Sequence, residues 1–407
     1  MFQSDGQSQK ICRSLNKVRV ENLIQEMCQL SFKIIHRLKW PKVVKNSIMQ
    51  LILVLCCGQT QAQPQKTIVP TGTTAIKIGA QNSEVLSFNE KIYLYQDSDR
   101  ANWLLEHAKK EGGLTLYTSL SPTEAMPLIK EFEKKYGLHV EIWRALSDGV
   151  MQRVLNETKA KRYTVDVVET NGPEMEIMAR EKIFDEFYSP SQIDLPPAMI
   201  PKHRLWMPDR VNYFVVAFNT LKVKREDLPN HFEGFINPKW NGRLGIEATD
   251  AEWLGGLMNA LGESRGNAFF KKLAEMKPDV RKGHILLAQM IASGEIDVGL
   301  TIYNANAQSF KQRGAKIDWV AIEPTLARPQ GIALSKHAGH PYSALLFADF
   351  ILSPVAQQIF DSLGRPPANT SVKSNLNNFN YVLTDPALIV DEAEKWTQTW
   401  NKLFLGK

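Results

Sequence analysis

Cysteine is close to absent from this chain. The 407 residues hold four, Cys12, Cys28, Cys56 and Cys57, all near the N-terminus. The rest of the chain therefore has no disulfide, no thiol nucleophile and no thiolate metal site, a composition suited to an oxidising compartment. Histidine is sparse as well. The seven beyond residue 62 (His107, His139, His203, His231, His284, His337 and His340) are scattered, with no His-x-x-x-His pair of the kind that holds zinc on a helix. H-E-x-x-H, Walker A, G-x-S-x-G and glycine-rich dinucleotide signatures are missing, which argues against the commonest hydrolase, NTPase and dehydrogenase chemistries. Repeats and low-complexity tracts are missing too, which leaves a structural or adhesive role without support. A long apolar run is lacking: the best, "IMQLILVLCCG", has an apolar stretch of about ten residues, too short to span a bilayer comfortably.

The net charge of +6 has no excess behind it in the bulk of the chain. Residues 1–62 carry nine Lys or Arg against three acids, and the remainder is balanced at 40 of each. A nucleic-acid binder keeps its basic face on the folded part, so no nucleic-acid partner is expected. The basic segment ending at Lys42 and Lys45, the apolar core and then "QTQAQPQ", with Thr60 and Ala62 as small residues, read as an export signal cut after Ala62, and Met27 is a plausible start. A lipoprotein cut before Cys56 or Cys57 fits less well, because Leu55 and Cys56 stand where a small residue is expected. Residues 63–90, rich in Gln, Thr and Gly at the outset, read as a flexible arm.

Beyond the arm the pattern is regular. "LTLYT" from Leu114 is a strand that stops at "SLSP", where Ser121 and Glu124 form a capping box, Pro122 takes the first helical turn and Gly137 closes the helix. "HVEIWRA" is a strand leading to a helix from Ser147. "YTVDVVET" is a strand leading through Asn171-Gly172-Pro173 to another helix. This β-α-β-α-β-α order predicts a parallel sheet with helices on both faces, whose ligands sit at the carboxyl ends of the strands. A second run of β/α units comes next, with polar strand ends at Thr249-Asp250 and Tyr303-Asn304-Ala305-Asn306. Extended crossings near 211–218 and 318–333 predict a two-strand hinge between lobes. A pair of helices split by Ser353-Pro354 and a short amphipathic helix around Ala393–Leu405 end the chain.

From about Tyr93 to Val372 the chain resembles type II periplasmic solute-binding proteins of ABC importers, and among them the iron(III)-binding branch. The resemblance is carried by "LTLYTSL", "LIKEFEKKYGLHVEI", "MQRVLNETKAKRYTVDVVET", "ASGEIDVGLTIYNANA" and "RPQGIALSKHAGHPYSALLFADFILSPVAQQIF". It implies an α/β, two-lobed fold with a two-strand hinge and an interlobe cleft: a signal region with N-terminal extension at 1–62, the arm at 63–90, lobe 1 at 91–213 with a return at 326–384, lobe 2 at 214–325, and a C-terminal helical tail at 385–407. It also implies a monomeric periplasmic receptor, not an enzyme, that captures a small solute and delivers it to an inner-membrane ABC permease. A periplasmic enzyme or a ligand sensor on the same fold is the alternative.

The iron-binding branch offers a His after the first strand, a carboxylate after the third and adjacent tyrosines after the strand that here reads "VGLTIY". This chain has Ser119-Leu120-Ser121, then Asn171-Gly172 with Glu169 two residues away, then Tyr303 followed by Asn304. Candidate ligand-binding residues are therefore Ser119, Ser121, Thr170, Asn171, Gly172, Thr249, Asp250, Trp253, Tyr303 and Asn304, with Tyr303 the candidate metal ligand. Such donors around several helix N-termini suit a small anionic or zwitterionic compound, or iron(III) with a carrier anion. No cofactor is expected; ferric iron would be cargo. His284 is a further candidate, opening a helix, and Trp253 is a stacking candidate or a core anchor.

Overall fold

The computed structural model describes residues 87–406. The export signal, its cut site and residues 63–86 of the arm lie outside them. The last residues of the arm belong instead to a first helix, α1 (Phe88–Tyr93), capped by Ser87 and Glu90. Asn89 donates to the Ala338 carbonyl at 3.0 Å and buried Tyr93 to the Ser335 carbonyl at 2.9 Å, so this helix is docked onto the body.

The first lobe begins with α2 (Arg100–Glu111), then β1 (Gly113–Thr118), α3 (Pro122–Tyr136), β2 (His139–Arg144), α4 (Ser147–Lys159), β3 (Val167–Asn171), α5 (Gly172–Arg180) and β4 (Phe184–Asp185). The local signals behave as the residues dictate. Ser121 N–H donates to the Glu124 carboxylate at 2.8 Å, and Gly112 and Gly137 take left-handed conformations (φ 82° and 69°) where the helices stop. Strand β5 (Met207–Asn219), buried along its whole length, leaves this lobe for the second. There the chain forms β6 (Leu244–Glu247), α6 (Ala251–Leu261), α7 (Glu263–Glu275), β7 (Asp279–Arg281), α8 (His284–Ser293), β8 (Val298–Tyr303), α9 (Asn304–Gln312) and β9 (Ile317–Val320). Strand β10 (Leu326–Ser335) runs back into the first lobe, to α10 (Pro341–Leu352) and α11 (Pro354–Ser362). A short β11 (Val382–Leu383) and α12 (Pro386–Trp400), ending in a π-helical turn at Asn401–Leu405, complete the chain.

One curled sheet passes through both lobes in the order β2-β1-β3-β10-β5-β8-β6-β7. β1, β2 and β3 are parallel, as are β6, β7 and β8, so the helix N-termini gather at one edge of each half. The two halves join through antiparallel β5 and β10, paired from Ala327 opposite Tyr213 to Ile332 opposite Met207. Each half has an apolar core on both faces. In the first lobe Phe132, Phe347 and Phe350 fill one face and Val150, Met175 and Trp206 the other. In the second, Trp253, Phe269 and Phe270 fill one face and Leu287, Ile291 and Ile302 the other.

Two expectations need correction. The crossing near 318–333 is not one extended segment: β9 pairs with β5, and the chain then turns through a proline-bearing loop before β10 begins at Leu326. The final helix starts at Pro386, seven residues before the expected start, because Asp385 caps it by accepting from Ala387 N–H at 2.9 Å and Pro386 suits a first turn. Nor is it peripheral. Trp396 and Trp400 enter the core of the second lobe, while Asp391 pairs with Arg180 on α5 of the first.

Candidate functional site

Where the carboxyl edges of the two half-sheets face each other, charge is concentrated. Arg328, on hinge strand β10, is buried between the lobes. Its Nη1 donates to the Tyr303 hydroxyl at 3.0 Å, and its Nη2 lies 3.8 Å from Glu174, in the first turn of α5. Its Nε is 2.8 Å from Glu252, in the first turn of α6, but is not aligned as a hydrogen-bond donor, so that contact is Coulomb attraction. A guanidinium on the hinge thus touches an acid from each lobe.

The second lobe adds Asp250, His284 and Glu247. Asp250 Oδ1 lies 3.3 Å from His284 Nε2. His284 Nδ1 is 3.0 Å from the Thr301 carbonyl, and its ring lies against Tyr303 with centroids 3.9 Å apart and planes tilted by 35°. Glu247 accepts from Gly283 N–H at 2.8 Å and from the Thr249 hydroxyl at 2.7 Å.

Burial dominates the electrostatics. It lifts the Glu252 carboxyl to about 7 despite the pull of Arg328, and lifts Glu174 for the same reason against the same cation. Burial also raises Asp250 against the opposing charge of His284. For His284, burial works to lower the pKa, but the carboxylates of Asp250 and Glu247 outweigh it and the net shift is upward. Burial holds the Tyr303 phenol well above its usual range, with Arg328 acting the other way. Four acids (Glu174, Glu247, Asp250 and Glu252) therefore face one arginine and one histidine. Buried atoms Glu174 Oε2, Asp250 Oδ2 and Glu252 Oε1 have no hydrogen-bond partner. Such a cluster is short of positive charge and short of donors.

A second polar network lies beside it, buried except at Asn171. Glu169 accepts from Thr118 and pairs with Arg210 on β5; Arg210 also meets Asp209 and donates to Gln330 at 2.7 Å. Gln330 in turn donates to Asn171 at 2.8 Å.

The expected site residues divide accordingly. Asp250 and Tyr303 are in the charged cluster, and Asn171 stands at its edge. Thr249 is exposed and tied to Glu247. Thr170 is fully buried with an unpartnered hydroxyl. Ser119 and Ser121 lie at the end of β1, where the Ser119 N–H bonds the Glu169 carbonyl and the Ser121 hydroxyl is tied to Glu124 and Thr123. Two residues, Trp253 and Asn304, are placed otherwise than expected. Trp253 is fully buried among Phe232, Phe269, Phe270 and Trp400, a core anchor with no room to stack on a solute. Asn304 accepts from Tyr213 N–H at 3.2 Å and donates to the Leu376 carbonyl at 3.3 Å, so its amide is spent on the hinge. Gly172 is wedged so that a Cβ would lie 2.8 Å from the Pro329 carbonyl oxygen and 3.0 Å from Pro386. Sequence reasoning missed Glu174, Glu252 and Arg328. The two glutamates look like ordinary first-turn acids; an arginine inside the apolar strand "LARPQGIALS" was the available signal.

The comparisons with known proteins accord with this architecture. Residues 127–386 match the family model described as bacterial extracellular solute-binding protein. No curated protein matches significantly. Among solved structures, iron-bound HitA from Pseudomonas aeruginosa is similar at 20% identity and a TM-score of 0.63, covering 71% of this chain and 99% of its own. AfuA from Actinobacillus pleuropneumoniae, a periplasmic binding protein with fructose-6-phosphate bound, is similar at 21% identity and a TM-score of 0.60, covering 72% and 99%. The substrate-binding protein of an ABC transporter from Agrobacterium tumefaciens is similar at 16% identity and a TM-score of 0.62, covering 72% and 94%. At these identities the structures speak for the shared two-lobed fold and not for a common cargo. The family match spans well over half of the sequence, and the chain belongs to the bacterial extracellular solute-binding proteins.

Proposed function

We propose that this protein is the receptor of an ABC importer, a monomer released to the periplasm after removal of its leader near Ala62, which closes its two lobes over a cationic cargo and delivers it to an inner-membrane permease. The observation that carries the cargo class is the excess of buried carboxylates, Glu174, Asp250 and Glu252, over the positive groups Arg328 and His284. An anion would meet these acids in the first turns of α5 and α6, where bare amides would otherwise welcome it. A hard cation gains from carboxylate oxygens and from the Tyr303 phenol. Iron(III), alone or with a carrier anion that Arg328 can meet, is the first candidate, and iron is what the HitA structure holds. The role is binding and not catalysis.

The test is a thermal-shift series on purified, chelator-treated protein with ferric citrate, ferric iron with phosphate, citrate alone, phosphate alone, a sugar phosphate, amino acids and polyamines. A ligand at 100 times its Kd adds about 2.7 kcal/mol of stability. Stabilisation by ferric iron or by a polyamine supports a cationic cargo. Stabilisation by the sugar phosphate or a free anion, with none from any cation, overturns it. Turnover of a stabilising compound overturns the receptor role in favour of an enzyme.

A further inference from the structure

The half of the cluster that lies within the second lobe has the makings of a metal site by itself. We propose that His284 Nε2, Asp250 and Glu247 bind one divalent first-row transition-metal ion, of the Mn²⁺, Fe²⁺ or Zn²⁺ class, without any ligand from the first lobe. This rests on the reading that the cleft takes cations, and goes further by naming the ligand atoms and the class of ion.

Four observations carry it. First, the potential ligand atoms of the three residues all lie within 4.8 Å of one another. Second, His284 Nδ1 faces the Thr301 carbonyl, an acceptor only, so Nδ1 carries a proton and Nε2 is the ring nitrogen on the Asp250 side. A metal-bound histidine almost always has its other nitrogen fixed in this way. Third, His284 Nε2 and Asp250 Oδ1 are 3.3 Å apart. Two adjacent ligands on one ion, each about 2.1 Å from it, are separated by roughly 3.0–3.4 Å. Fourth, Asp250 is only 4% exposed and its Oδ2 makes no hydrogen bond within 3.5 Å, although the nearby Thr301 hydroxyl favours its charged form. An acid so buried carries an unmet demand that an ion would satisfy. Glu247 is held from outside the site by Gly283 N–H and Thr249, which orient its carboxylate and leave lone pairs free. An ion bound here needs Nε2 unprotonated, so any proton on it leaves to solvent as the metal enters. The other charged or ionisable groups close to His284 are Glu252 on α6, Tyr303 at the end of β8 and Arg328 on β10. One imidazole with two carboxylates selects first-row transition ions over Mg²⁺ and Ca²⁺, which prefer oxygen alone.

The experiment uses chelator-treated protein, with Mn²⁺ followed by loss of its free six-line EPR signal and Zn²⁺ by calorimetry. The expected result is one ion per chain, with affinity lowered at least tenfold in His284→Gln and in Asp250→Asn and unchanged in His107→Gln, a residue of the opposite lobe. Circular dichroism melts of the metal-free variants establish that each is folded. Absence of binding by both ions, or affinity in folded His284→Gln and Asp250→Asn equal to that of the parent, overturns the proposal. A ferric-citrate shift that survives in those variants while Mn²⁺ and Zn²⁺ fail to bind overturns this site and leaves the cargo reading standing. Mn²⁺ or Zn²⁺ binding that depends on His284 and Asp250, without any ferric or polyamine response, supports this site and overturns ferric iron as the cargo.

Discussion

Glu252→Gln isolates the energetic conflict in the cleft. The Glu252 side chain is 12% exposed, and burial of its carboxyl lifts it from 4.5 to about 7 in spite of Arg328. An acid whose folded pKa exceeds its unfolded one binds a proton more tightly in the native state. Between pH 4.5 and 7 the native protein therefore holds more protons than the unfolded chain, and the free energy of unfolding falls as pH rises through that window. The cost is absent below pH 4.5 and complete above pH 7. At roughly 1.4 kcal/mol per pH unit, the span from 4.5 to about 7 corresponds to about 3 kcal/mol. Glutamine keeps the shape and removes the charge. Arg328 loses one anionic partner but keeps Glu174 and the Tyr303 hydroxyl. The metal-free variant is expected to match or slightly trail the parent at pH 4.5 and to exceed it at pH 8. At about 2 °C per kcal/mol for a domain of this size, the gain in Tm reaches up to about 6 °C. Differential scanning calorimetry of both proteins at pH 4.5, 6, 7 and 8 reads this directly. Parallel pH profiles, or a Glu252→Gln variant that melts several degrees lower at pH 8, would refute the reasoning by showing that attraction to Arg328 outweighs burial.

Three more contacts set measurable outcomes. Tyr303→Phe keeps the ring contact with His284 and removes the hydroxyl that Arg328 holds at 3.0 Å, so affinity for ferric citrate should fall at least tenfold while Tm changes by only a few degrees; equal affinity by titration would remove the phenol from the site. Ser121→Ala should cost about 1 kcal/mol in a denaturant melt, as loss of a helix cap does, with no change in ligand affinity, because the Ser121 hydroxyl is engaged by Glu124 and Thr123. Trp400→Ala removes a fully buried indole whose N–H donates to the Ala248 carbonyl at 2.8 Å, and should destabilise by about 3–5 kcal/mol; a loss below about 1 kcal/mol would show that α12 contributes little to the second lobe.

The fold was legible because its signals are local. The capping box at Ser121, the glycine stop at Gly137 and the Asn-Gly-Pro helix start after β3 each announce a strand end feeding a helix. Repetition of that unit on both sides of an apolar crossing announces two lobes. The site was legible only as a place. Its strand ends are where the pattern puts them, but which polar side chains face inward depends on competition that one sequence does not display. Ser121 is consumed by its own cap, Asn304 by the hinge backbone and Trp253 by aromatic neighbours. Glu174 and Glu252 have the spacing of acids that merely favour a helix dipole, and only the approach of the two lobes turns them toward one arginine. The sequence pattern therefore leads to neutral donors at these strand ends, where the structure places Glu174, Asp250 and Glu252 around Arg328 and His284.

The two hinge strands carry two buried arginines with opposite consequences. Arg210 on β5 finds Glu169, Asp209 and Gln330, all within the first lobe and the hinge, so its network survives any movement of the second lobe. Arg328 on β10 divides itself between Glu174 of the first lobe and Glu252 and Tyr303 of the second. Any separation of the lobes about these strands strips Arg328 of one set or the other. Closing them brings the acids together again, and a single guanidinium does not neutralise them. The closed arrangement is thus held by packing, including α12, whose tryptophans lie in one lobe while Asp391 reaches the other, against an electrostatic term that a positive guest reverses. If the proposed cationic cargo is right, closure would be tied to occupancy: the same unpaired carboxylates that disfavour an empty closed cleft would supply the differential affinity that favours the closed state with a cation inside.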